Sequence, residues 1–371
     1  MKFFHLSDLH LGKRLREFSL VEDQEYILNQ ILSLAESERP DGVVIAGDVY
    51  DKAVPSVEAV RLFDEFLVRL AAITPHIFVI SGNHDSPERI AFGSRLLGAA
   101  GIHLSPVYSG RVSPVTLTDE FGAVNFYLLP FVKPVHVRHF FPQEPADTYT
   151  QALDAAIKHM ELDESQRNIL VTHQFVTGAS RSDSEEISLG GSDNVDAQVF
   201  QSFDYVALGH LHNAQSCGSE NIRYCGTPLK YSFSEAGSEK SVTLVQLGEK
   251  GNLTLRTLPL KPKRELVQLR GRFGELIGSY RNATSDYVHI TLTDEEDIPD
   301  ALGKLRLVYP NLMKLDYDNA RTRGLAEITG ERLSTRSPME LFEAFYELQN
   351  NQPMTAEQRV FLEELLEEEE G

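Results

Sequence analysis

Five segments of this sequence share one arrangement: a short apolar run followed at once by residues able to bind a metal ion. KFFHLS ends in Asp8 and His10, VVIAG in Asp48, IFVISG in Asn83 and His84, NILVT in His173, and YVALG in His210 and His212. Residues i and i+2 of an extended chain point to the same side, so Asp8 with His10, and His210 with His212, each aim two donors at one place. Carboxylate, amide and imidazole donors without a thiolate suit Mn²⁺, Fe²⁺ or Zn²⁺. Seven ligands (Asp8, His10, Asp48, Asn83, His173, His210 and His212) are too many for one ion. They suit two ions about 3.5–4 Å apart sharing a bridging carboxylate, an arrangement that holds the attacking and leaving oxygens of a phosphoryl displacement. Singly these are ordinary turn or core residues. Their joint occurrence at strand ends, where open α/β sheets place their sites, points to one crevice.

The elements that must deliver these residues are legible as an alternation of apolar runs and helical periodicity over residues 1–258, the pattern of an α/β domain. In EDQEYILNQILSLAE, Ile27, Leu28, Ile31, Leu32 and Ala35 share one helix face. GVVIAGD reads as a strand buried on both sides, and VNFYLLP as a later strand. Pro55 is expected at the first position of a second helix that turns Val57, Val60, Phe63, Leu67 and Leu70 inward. Two prolines and three basic residues in PLKPKRE, residues 259–265, mark a boundary. Beyond it, strand (265–270), helix (273–280), strand (286–293), helix (298–308) and strand (312–317) predict a small α/β unit over 264–330. Ser337-Pro338 with Glu340, and Thr355 with Gln358, have capping-box spacing on either side of NNQP and predict a helix-loop-helix over 335–371. Its stripes, Leu341, Phe342, Phe345 and Leu348, then Val360, Phe361, Leu365 and Leu366, need cover from a partner or from the α/β unit.

At 371 residues the chain has room for two or three such units. Its net charge of −20 is adverse to phosphate binding in general, but it is unevenly spread. Residues 331–371 hold 11 acidic against 3 basic residues, and residues 256–281 hold 7 basic against 2 acidic. Cys217 and Cys225 lack CxxC spacing and read as reduced thiols. The polar opening MKFFHLSDLH is no signal sequence and no apolar run is long enough to span a bilayer, so a cytoplasmic protein without membrane contact is expected. The polar stretch 178–194, after His173, reads as a surface loop beside the site.

The ordered blocks DLHLG (8–12), GDVYD (47–51), GNHD (82–85), TH (172–173) and GHLH (209–212) resemble those of the calcineurin-like metallophosphoesterases. The resemblance implies a two-sheet sandwich with flanking helices. It also implies that Asp8, His10 and His212 bind one ion, that Asn83, His173 and His210 bind the other, and that Asp48 bridges, with a metal-held water as nucleophile. His84 would contact the phosphate and assist the leaving oxygen, and the Asp51 carboxylate would orient His84 through its other ring nitrogen. Phosphatases of the family read GDxxDRG and GNHE, whereas this chain has GDVYDKA and GNHD.

DLHLGK, GDVYDKAVPS and the order of catalytic domain, α/β cap and helix pair resemble the nuclease subunits of bacterial complexes that process DNA breaks. That resemblance implies DNA ends and hairpins as substrate, Mn²⁺ as preferred cation, a homodimer, and an ATPase partner whose coiled-coil root docks on the C-terminal helices. The chain has no GxxxxGK[ST] loop, so ATP is expected on the partner. The cap would guide duplex DNA. Lys261, Lys263, Arg264, Arg270 and Arg272, or Lys13, Arg14 and Arg16, would contact phosphates or else remain solvated surface charges. Other classes consistent with the motifs are a stand-alone nucleotide phosphodiesterase or phosphatase and a non-catalytic scaffold, the last opposed by the complete ligand set.

Overall fold

The computed structural model describes residues 1–180, 182, 183, 185, 193–278, 284–296, 298–319, 322, 339, 342, 343, 346, 354–359, 361 and 362. The chain divides into two compact units, Met1–Leu266 and Val267–Gly371.

Among the described residues the first unit holds two six-stranded sheets. The first runs in the order Leu253–Leu260, Lys240–Leu247, Lys2–Leu6, Gly42–Ala46, His76–Ile80, Ile102–Leu104. The last four strands of that order are parallel, and Lys240–Leu247 closes antiparallel on Lys2–Leu6. The second sheet runs Gln215–Cys217, Ser219–Tyr224, Tyr205–Gly209, Arg167–His173, Gly122–Leu128, Val115–Asp119, parallel at its four central strands.

The sheets face each other because the central strands of each turn a row of apolar residues to the other. Phe3, Val44, Ala46, Phe78 and Ile80 meet Val124, Phe126, Ile169, Val171 and Ala207 in one core. Phe78 and Phe126 stack across it with centroids 4.2 Å apart. The opposite face of the second sheet, including Tyr127, Leu170 and Val206, packs with Leu153, Ala156 and Ile157 of helix Tyr149–Lys158. These strands are covered on both faces, which is why their sequences run apolar without alternation.

Helix Val21–Glu38 buries Ile27, Leu28, Ile31, Leu32 and Ala35 as its periodicity predicts. The second helix departs from expectation. It spans Val57–Ala71, Pro55 lies outside it, and Ser56 caps it by accepting from the Ala59 amide. Its buried face is Ala59, Leu62, Phe63, Phe66 and Leu70, while Val57, Val60 and Val68 are exposed. Apolar residues occupy two faces of this helix, so periodicity alone does not choose between them.

In the second unit a three-stranded sheet, Leu266–Gly271, Tyr287–Leu292 and Leu312–Tyr317, packs its apolar face on helix Ala301–Arg306. Most of the expected helix-loop-helix, including Ser337, Leu341, Phe345 and Leu365, lies outside the described residues. Within them, Thr355 and Gln358 form the reciprocal bonds of a capping box, and Phe342 and Phe361 are exposed. No helix among the described residues is long and apolar enough to cross a membrane.

Candidate metal centre

All five strands that end in metal-capable residues end at one place, three from the first sheet and two from the second. The loop after Lys2–Leu6 lies along the loop after Gly42–Ala46: the amides of Asp8, His10 and Leu11 donate to the carbonyls of Gly47 (3.0 Å), Asp48 (2.9 Å) and Val49 (2.9 Å). Aiming the side chains inward requires unusual backbone. Asp8, His10, Asp48 and His210 all have positive φ (54°, 43°, 48° and 108°), a region costly for residues with a Cβ and concentrated at functional sites.

Asp48 is the hub. Its Oδ1 accepts from the His84 amide (2.9 Å), and its Oδ2 lies 3.3 Å from His173 Nε2, 3.7 Å from His10 Nε2 and 4.0 Å from His84 Nε2. Asp8, His10 and His212 bring ligand atoms within 4.8 Å of one another, as do Asp8, Asp48 and His173. Asn83 Oδ1 lies 2.9 Å from His173 Nε2 and 3.1 Å from His210 Nδ1.

Burial alone would raise the Asp48 carboxyl, but His173, His10 and His84 around it hold it well below the ordinary carboxylate range. Burial pushes Asp8 up to about 6, with His173 and His212 opposing and Asp48 adding. Burial also holds the His10 imidazole well below its ordinary range, against the opposing pull of Asp48.

Two observations show that these residues fit divalent cations. His10 is 1% exposed, yet neither ring nitrogen has a hydrogen-bond partner among the described residues, a costly arrangement unless a cation takes the lone pair. His173 Nδ1 lies 2.9 Å from the Ala46 carbonyl, which can only accept, so Nδ1 carries a proton and Nε2 is turned to the oxygens of Asp48 and Asn83. There the Asp48 charge outweighs burial, pushes the imidazole up to about 9 and makes a place that suits a cation as well as a proton.

The expectation for Asp51 needs correction. His84 Nδ1 is 3.1 Å from the main-chain oxygen of Asp51, not from its carboxylate, which instead binds Lys13 Nζ at 2.7 Å. The tight turn carries the carbonyl to the imidazole and turns the side chain away.

The basic run is likewise largely taken up internally. Lys263 pairs with Glu22, Arg264 with Glu22 (2.6 Å) and Asp23 (2.7 Å), and Arg270 with Asp318. Three of its five cations therefore balance the chain's own acids. The stretch 178–194 is not wholly a surface loop either: Glu185 is buried, and its Oε1 accepts from the His212 amide at 2.6 Å.

Three supports of the site have no place among the sequence expectations. The buried Asp85 carboxylate accepts from the amides of Val49 (3.0 Å), Tyr50 (2.9 Å) and Gly82 (3.0 Å), tying the loop that carries Asp48 to the loop that carries Asn83 and His84. Its place in GNHD is the signal that could have found it. Gln24 donates to the His10 carbonyl (2.7 Å) and accepts from the Gly12 amide (2.9 Å), fixing the first loop.

Glu235 and Lys240 form a buried pair (2.6 Å) behind His212, Lys240 donating to the His212 carbonyl (2.8 Å) and Glu235 lying 3.6 Å from its Nδ1. Glu235→Gln would leave the Lys240 ammonium buried without its charge partner. It is expected to cost about 3–5 kcal/mol in a thermal or denaturant melt, and the paired change with Lys240→Met appreciably less.

Comparison with known proteins agrees with this geometry. Residues 1–214 match the family model "Calcineurin-like phosphoesterase", and residues 262–350 match "Type 5 capsule protein repressor C-terminal domain". The chain is 34% identical over 375 residues to the SbcD component of the nuclease SbcCD of Staphylococcus epidermidis, covering 99% of this chain and 98% of that one. A dimetal phosphatase from Danio rerio overlays with a TM-score of 0.40 at 13% identity, covering 69% of this chain and 95% of that one. A protein from Thermus thermophilus overlays at 0.36 and 10% identity, covering 69% and 98%. Neither overlay is close enough to bear on the site. With one family model spanning the metal centre and a curated relative aligned end to end, the chain belongs to the calcineurin-like phosphoesterases, among the SbcD-type nuclease subunits.

Proposed function

We propose that the chain is the nuclease subunit of an SbcCD-type complex, hydrolysing DNA phosphodiesters as a 3′-to-5′ exonuclease on duplexes and an endonuclease on single strands and hairpins, in repair, recombination and replication. The observation that carries this reading is the convergence of five strand ends on Asp48, with His84 held beside it. Asp8, His10 and His212 would hold one ion, Asn83, His173 and His210 the other, and Asp48 would bridge. Mn²⁺ is the preferred cation. Such ions supply Lewis-acid stabilisation of phosphoryl oxygens and lower the pKa of water.

His84 acts on the leaving group. Its Nδ1 faces a carbonyl that can only accept, so Nδ1 carries a proton and Nε2 is the atom free to exchange one with a sugar oxygen. Its partial exposure, beside ligands that are buried except for Asn83, leaves it in reach of substrate.

The ATP-binding partner is an SbcC-type ATPase docked on residues 335–371, and residues 264–330 form a cap that guides DNA. The complex works in the cytoplasm, on the nucleoid. The chain pairs with a second copy through the exposed apolar face of helix Val57–Ala71, where Val57, Val60 and Val68 are 72%, 45% and 64% exposed. Val57→Glu with Val60→Glu is expected to convert a dimer to a monomer in sedimentation without lowering the melting temperature.

The function is tested by cleavage of a labelled DNA hairpin in Mn²⁺, with the chain alone and with its ATPase partner and ATP. Partner-stimulated cutting supports the reading. Brisk hydrolysis of small phosphodiesters with no cutting of DNA under any condition contradicts it.

A further inference from the structure

A cavity of about 170 Å³ opens directly beside the metal centre, sharing Asn83 and His210 with it. Its other walls come partly from elements the metal ligands do not use. Phe131 and Lys133 follow strand Gly122–Leu128, Phe175 follows His173 by two residues, and Tyr149 is the first residue of helix Tyr149–Lys158. The three aromatic residues are half-buried, not closed into the core. Phe131 and Tyr149 lie with ring centroids 6.5 Å apart, Phe131 also packs edge-on to His173, and Phe175 leans on His210 at 6.3 Å. The aromatic surface is therefore continuous with the imidazoles of the site.

The lining decides what such a cavity suits. It is smaller than the roughly 300–1,000 Å³ of pockets for drug-sized ligands, so it suits a single flat ring system. Both Lys133 and the buried Asp193 line it, and this mixed charge is unlike the cationic lining that a second phosphate would require. Aromatic faces stack any of the four bases, whereas a base held in a duplex must first leave its stack to reach such a wall.

We propose that this cavity is a subsite for one unpaired nucleobase of the strand whose phosphodiester lies at the metal centre. The inference rests on the nuclease reading above and deepens it: the chain selects frayed ends, loops and single strands because only there is a base free to enter. Lys133, exposed at the rim, meets the backbone phosphate of the same nucleotide.

The test uses the full chain carrying His84→Ala, to suppress cutting, with Mn²⁺ and DNA hairpins bearing one 2-aminopurine at each loop or end position in turn. Emission of the probe reads stacking, and anisotropy of a distant dye reads binding. We expect emission to change at one position. Tyr149→Leu and Phe175→Leu, which keep apolar bulk but remove the aromatic face, should each abolish that response. Each should also weaken binding of DNA with unpaired ends about tenfold, leaving blunt duplex unaffected. DNA bound by anisotropy with no position responding, or a response that survives both substitutions, would overturn the subsite while leaving the nuclease reading intact. Failure to bind DNA at all would count against the nuclease reading and remove the subsite with it.

Discussion

Replacing His84 by alanine is expected to slow phosphodiester hydrolysis by about 10²- to 10⁴-fold, the usual range for losing a positioned proton donor, while Mn²⁺ binding persists. The dissociation follows from position. His84 is more exposed than His10 and Asp48, although its ligand atom lies within 4.8 Å of theirs; it reaches Asp48 Oδ2 only at 4.0 Å, and its other ring nitrogen is committed to a main-chain carbonyl. Removing the imidazole leaves Asp48 in place, because the contact that fixes Asp48 Oδ1 comes from the His84 amide, which alanine retains. Steady-state hydrolysis alongside calorimetric Mn²⁺ titration separates the two effects. Loss of both together would make His84 a ligand. Since the Asp51 contact is main-chain, Asp51→Ala should cost hydrolysis much less than His84→Ala does.

Gly82→Ala should damage the metal centre through a single added methyl group. A Cβ at this position would lie 2.1 Å from Asp48 Oδ1 and 2.4 Å from the Asp48 amide nitrogen, a collision partly with backbone that no rotamer change relieves. The strand exit that presents Asn83 and His84 must then move away from the exit that presents Asp48, and the bond from the Gly82 amide to Asp85 moves with it. We expect a stability loss of about 1–3 kcal/mol from overpacking. Hydrolysis should fall by about 10²-fold or more, since displacements near 1 Å have that effect at a positioned site. A melt and a rate measurement on the same preparation check both. Gly278→Ala, where an added Cβ meets nothing within 4 Å, serves as the control.

The sequence is most informative where chemistry and secondary structure coincide. An apolar run that stops at Asp8-Leu9-His10 or His210-Leu211-His212 announces a buried strand and names the side chains at its end, and the structure brings those strand ends together. What stays hidden depends on the third dimension. Positive φ at Asp8, His10, Asp48 and His210 has no local signal, because turns of this kind ordinarily carry glycine or asparagine. Glu235 and Lys240 lie far from the motifs in sequence and reach His212 only through the fold. The second helix offers valines on one face and Leu62, Phe63 and Phe66 on another, and the larger residues take the core. Asp51 and His84 do meet, but through other atoms than the motif suggests, since a motif fixes which residues are neighbours and not whether side chain or main chain makes the bond.

On the proposed reading the strand ends would hold two divalent ions bridged by Asp48. That is tested most directly by calorimetric titration of Mn²⁺ into the metal-free full chain, beside the Asp48→Ala variant. Two ions should bind per wild-type chain, and tight binding at both sites should be lost when the shared carboxylate is removed. A single ion in the wild type, or two ions still held tightly without Asp48, would contradict it.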